Sequence, residues 1–156
     1  MAGSENPVSD ASPHSEMHAP VSLPWPVRAA TGVAGLLPVG LLLVAGTLRP
    51  SDSGLGTHQQ LGLPPCSMRL IFGIRCPACG MTTSWSHFAR GEWTASLASN
   101  TGGFLLAIAA VGTLITATWV AWSAKWPSST IQKRWAIAAA VIATVTTVDW
   151  LHRLYR

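Results

Sequence analysis

Hydrophobic positions in this chain fall into long unbroken runs rather than the alternations of a soluble domain. "AATGVAGLLPVGLLLVAGTL", Ala29 to Leu48, contains no charge and is bracketed by Arg28 and Arg49. A helix of that length spans about 30 Å, the thickness of a bilayer's hydrocarbon core. A second uncharged run covers residues 101–123, and a third, shorter one covers 135–151. The expected fold is therefore all-α: an integral membrane protein with three transmembrane helices over about 29–48, 101–123 and 135–151. Pro38 lies inside the first run and is tolerable where neighbouring helices re-satisfy the freed carbonyl. In the second run Ala109, Thr113, Ala117 and Ala121 recur every four residues, as do Ala136, Ala140 and Thr144 in the third. Each set predicts a small-residue stripe against which another backbone can approach.

Met1 to Pro26 has a different character, with Pro7, Pro13, Pro20, Pro24 and Pro26 among Ser, His and acids and no Lys or Arg. It reads as a disordered tail ahead of a single membrane domain, 27–156. His14 and His18 have helical metal-ligand spacing, but Pro13 and Pro20 oppose a helix there.

Composition reinforces this picture, with 49% hydrophobic and 10% charged residues. The formal charge of +4 does not form a nucleic-acid footprint, because Arg28, Arg49, Lys125, Lys133, Arg134, Arg153 and Arg156 flank the apolar runs. The expected partner is the lipid bilayer, with a membrane protein or a second copy as a further partner and no nucleic acid. Tryptophans agree: Trp25, Trp119, Trp122, Trp126 and Trp135 fall near one boundary, and Trp93, Trp150 and Tyr155 near the other. Asp149, the one acid within a run, stands beside His152 and Arg153 and is expected to reach interfacial water. Although the raw count of bases, with Arg153 and Arg156, points the other way, the density of Lys125, Lys133 and Arg134 in a short link puts that link and the amino terminus inside. The connection 49–100 and the carboxyl terminus then lie outside a bacterial cytoplasmic membrane.

All three cysteines lie in that connection, in "CSMRLIFGIRCPACGMTTSWSHFARGEW". Cys76-Pro77-Ala78-Cys79-Gly80 has the spacing of a metal knuckle or a tight disulfide, with Pro77 setting the turn and Gly80 admitting positive φ. Met81, Trp85 and Phe88 then recur at helical spacing, which predicts a short amphipathic interfacial helix ending near Gly91. Its N-terminus and Arg75 are expected to favour thiolate at the cysteines.

Cys66, Cys76 and Cys79 are the candidate metal or disulfide site; no cofactor is expected, zinc being the ion that they could hold. His87 is excluded as a fourth ligand, since eight helical residues carry it about 12 Å from Cys79. His58 remains available. A disulfide between Cys66 and either partner would close a loop of roughly a dozen residues. Structural disulfide or packed thiols, metal binding and redox catalysis all stay open.

The segment resembles the bacterial membrane family known as domain of unknown function 2752. Cys66, Cys76, Pro77, Cys79, Gly80, Met81, Thr82, Gly91 with Glu92, and Asn100 match its CPxCGxT pattern and flanks. The resemblance implies a membrane location and a motif used as a unit. Thr83 stands where that family usually has Arg, and Thr101 where it usually has Pro. Thr83 removes a cation otherwise placed for an anionic group.

No phosphate loop, catalytic triad spacing or paired intramembrane carboxylates occur, so a structural or interaction role is expected rather than an enzyme. The rivals are a membrane thiol-disulfide oxidoreductase using Cys76 and Cys79, with Cys66 as resolving thiol, and a zinc-binding membrane module.

Overall fold

In the computed structural model, which describes residues 22–155, every regular element is helical. Helix α1 runs Trp25–Thr47, α2 Ser67–Phe72, α3 Met81–Ala89, α4 Trp93–Ser99, α5 Thr101–Ser123 and α6 Ser129–Leu154, with a 3₁₀ turn at Thr57–Leu61. Three of them, α1, α5 and α6, are long and apolar enough to cross a membrane.

The expected tail lies outside the described residues up to position 21. Its last part is already structured, because α1 begins at Trp25 with Pro26 in its first turn, where a missing N–H costs nothing. The chain continues helical through Pro38. The third helix starts six residues before its expected span. Ser128 caps it by accepting from the Ile131 N–H, and Gln132, Lys133 and Arg134 extend it beyond the apolar run.

α1 and α5 form the central antiparallel pair. At one end Arg28 Nε donates to the Ala121 carbonyl at 2.8 Å, binding a C-terminal carbonyl of α5 with a cation. Midway, Gly35 faces Ala117 and Thr113 so closely that a Cβ at Gly35 would collide with the Ala117 methyl. The stripe read in the second run therefore does meet a neighbouring backbone at Thr113 and Ala117.

The stripe read in the third run does not. Ala136, Ala140 and Thr144 are all exposed, and α6 meets α5 through Trp135, Ile142 and Thr146. Gly102 and Gly112 of α5 receive Thr146 and Trp135, which reverses the expected logic: α5 supplies the small residues and α6 the bulk. No residue of α6 is buried.

α3 and α4 sit where α1 ends and α5 begins. The Gly46 position lies against Ala89, and Gly103 against Ser84 and Met81. The helix predicted after the knuckle thus forms. Its aromatic side leans on the first turns of α5: Trp85 Nε1 donates to the Gly103 carbonyl at 2.8 Å, and Phe88 meets Phe104 edge to face at 5.6 Å. Its small polar residues Thr83, Ser84 and Ser86 are the fully buried ones.

Candidate functional site

A core of small polar side chains holds the knuckle in place. Thr57 and Thr83 hydroxyls lie 2.8 Å apart, and those of Ser84 and Ser96 2.9 Å. Ser84 Oγ reaches the Asn100 carbonyl at 3.1 Å, Ser96 Oγ donates to the Ser84 carbonyl at 2.7 Å, and Ser86 Oγ donates to the Leu48 carbonyl at 2.7 Å. Among the described residues, every buried side-chain N or O has a partner, as burial requires. Thr83, where the similar family has Arg, is therefore a packed member of this core.

Asn100 joins that core to the cysteines. Its Oδ1 accepts from the Gly103 N–H at 2.7 Å, capping α5, while Nδ2 donates to the carbonyls of Pro77 and Cys79 at 3.1 and 3.0 Å. One buried amide thus fixes both the start of a spanning helix and the CPAC turn. Gly80 completes the attachment. At φ +88° it caps α3, and a Cβ there would stand 2.7 Å from the Ser99 carbonyl oxygen and 2.8 Å from that of Gly54.

The three cysteines converge. The Sγ atoms of Cys66, Cys76 and Cys79 all lie within 4.8 Å of one another, with Cys76 and Cys79 3.1 Å apart. All three are free thiols. They line one cavity of about 210 Å³ together with His58, Gln59 and Arg69. His58 Nε2 lies 3.2 Å from the Pro64 carbonyl. His87 turns elsewhere, with Nδ1 on the Glu92 carboxylate, in keeping with its exclusion from the thiols.

The electrostatics differ from expectation in two ways. Arg75 does not serve the thiols: its side chain lines a separate cleft with Asp149, His152 and Arg153, and the cation at the cysteine cavity is Arg69. The expected thiolate bias is met at Cys66 and reversed at Cys79. Cys66 is pulled down to about 7, first by the Arg69 backbone N–H and then by the Cys76 thiol. Cys79 moves the other way, up to about 12, because burial and the Cys76 thiol penalise its charged form.

The chemistry of this arrangement suits a soft cation. With Zn–S bonds of about 2.3 Å, tetrahedral geometry separates sulfurs by about 3.8 Å. The spacings from 3.1 to 4.8 Å straddle that value. Sequence reasoning found the three thiols and kept His58, but missed Arg69, the Ser/Thr core and the role of Asn100, which it named only as a match to the family pattern. Only Asn100 carried a usable signal: a capping residue directly before an apolar helical run.

The family model described as a protein of unknown function (DUF2752) matches residues 66–114, from the first cysteine to the middle of α5. This is the family that the cysteine segment resembles. No curated protein and no solved structure matches the chain.

Proposed function

We propose that this is a membrane module with a structural or interaction role, in which one zinc ion organises the connection between the first two spans. Cys66, Cys76 and Cys79 supply three thiolates, and His58, which lines the same cavity but stands outside the 4.8 Å cluster, takes the fourth position once its ring turns toward the sulfurs. The observation that carries this reading is the convergence of all three Sγ atoms within 4.8 Å on a cavity that an imidazole also lines. A disulfide would engage two sulfurs, whereas a tetrahedral ion engages all three. Three thiolates and a neutral imidazole around a divalent ion carry one net negative charge, and Arg69 stands at the cavity to offset it.

Elemental analysis of the full chain purified in detergent is the test. The expected content is about one zinc per chain, lost in Cys76→Ser and bound more weakly in His58→Ala. Absence of stoichiometric metal, or full retention when all three cysteines are Ser, defeats the reading.

A second reading, a thiol-disulfide oxidoreductase, draws on the 3.1 Å approach of Cys76 to Cys79 and the loosened proton of Cys66. Cys79→Ser should then trap a mixed disulfide with a partner. No trapped species, together with undiminished function, removes this alternative.

The membrane proposed is a bacterial cytoplasmic one, with the connection outside, on the strength of the basic link Lys125 to Arg134. Impermeant thiol reagents should label the metal-stripped cysteines in intact cells. Labelling only after permeabilisation reverses the orientation.

A further inference from the structure

The loop closed by the cysteines presents an apolar tip that none of the described residues covers. Cys66 and Cys76 meet at the cluster, so residues 67–75 project as a closed loop containing α2. Leu70, Ile71 and Phe72 at its end are 68%, 71% and 68% exposed, and Ile74 is exposed beside them.

The location of this loop identifies what covers it. Trp150 Nε1, near the end of the third span, donates to the Arg75 carbonyl at 2.7 Å. That bond ties the base of the loop to an indole of the tryptophan belt where α1 ends, α5 begins and α6 ends. The base of the loop therefore lies at the same boundary as these helix ends. Arg75 adds a charge argument. Its guanidinium has no side-chain partner among the described residues, and it opens on a cleft with Thr101, His152 and Arg153. The one acid of that cleft, Asp149, is already paired with Arg153 at 3.0 Å. An apolar tip with a free arginine at its base matches acyl chains below and an anionic headgroup above.

We propose that the loop 67–75 dips into the bilayer leaflet on this face, burying Leu70, Ile71, Phe72 and Ile74 among acyl chains while Arg75 binds an anionic lipid headgroup. This rests on the membrane reading above and not on the zinc.

The chain has three phenylalanines, Phe72, Phe88 and Phe104, so fluorinated phenylalanine gives few resonances, and Phe72→Leu assigns the one of interest. The full chain would be placed in lipid nanodiscs with and without phosphatidylglycerol. A spin label on the upper acyl chain should relax the Phe72 signal strongly, and a water-soluble nickel chelate should relax it weakly. With anionic lipid present, the acyl-chain effect should grow by at least about twofold, and Arg75→Gln should abolish that gain. A Phe72 signal relaxed by the chelate and not by the lipid label overturns the proposal, as does protection from both, which would mean that protein covers the tip. Equal relaxation with and without anionic lipid removes the headgroup contact. Insertion seen in a metal-free chain leaves this proposal standing while the zinc reading falls.

Discussion

Asn100 shows how much of the site one side chain can control. It is buried, and its amide serves a helix cap and two turn carbonyls at once. Asn100→Ala should cost about 2–4 kcal/mol by leaving those groups unpaired, and Asn100→Asp should keep the cap while losing both donated bonds. Thermal unfolding in detergent measures the loss, and faster alkylation of Cys79 in the variants would report the loosened knuckle. The cysteines make a separate, pH-dependent prediction. In metal-free protein the Cys66 thiol loses its proton at about 7. Alkylation should therefore accelerate as pH rises through neutrality and begin at Cys66, while Cys79, held up to about 12, stays protonated. The proposed zinc would displace that Cys79 proton, so its affinity should climb with pH. Mass spectrometry of the labelled peptides identifies the site, and equal rates at Cys66 and Cys79 would contradict the assignment.

At the scale of elements, the contact between α1 and α5 depends on the absence of a side chain. Gly35→Ala should push the helices apart and destabilise the protein by about 1–3 kcal/mol, since the new methyl meets Ala117 and not open space. Gly40→Ala is the matched control, because nothing lies within 4 Å of its Cβ position, and it should be neutral or slightly stabilising. Comparing midpoints of detergent-denatured samples separates the two. The short helices obey a different rule. α3 looks amphipathic in the usual sense, yet burial falls on Thr83, Ser84 and Ser86. Where helix ends meet, small hydroxyl side chains allow close backbone approach and also satisfy the exposed carbonyls, which large apolar residues cannot do.

The whole molecule is a thin assembly whose apolar exterior requires lipid. α6 packs along α5 with no buried residue, and Trp122 and Tyr155, toward opposite ends of the spans, are each 88% exposed. Water would charge far too much free energy for such a surface to persist in a dispersed monomer. The chain should stay with membranes through alkaline carbonate extraction and sediment with them; release into the supernatant as a monomer would contradict the membrane assignment.

The sequence by itself determined the three spans, the helix after the knuckle and the candidate thiols. Hydropathy over about twenty residues and the period of a helix are local properties, and they need no partner to be legible. The cap at Ser128 already fell outside the reach of hydropathy, because polar residues continue a helix beyond the hydrocarbon. Tertiary structure alone decided which stripe is a contact. The same four-residue spacing of small residues meets α1 in the second span and stays exposed in the third. It also decided that Cys66 joins Cys76 and Cys79, that Arg69 and not Arg75 faces them, and that Asn100 anchors the turn. Each of these depends on where two distant segments meet, and a one-dimensional pattern contains no term for that distance.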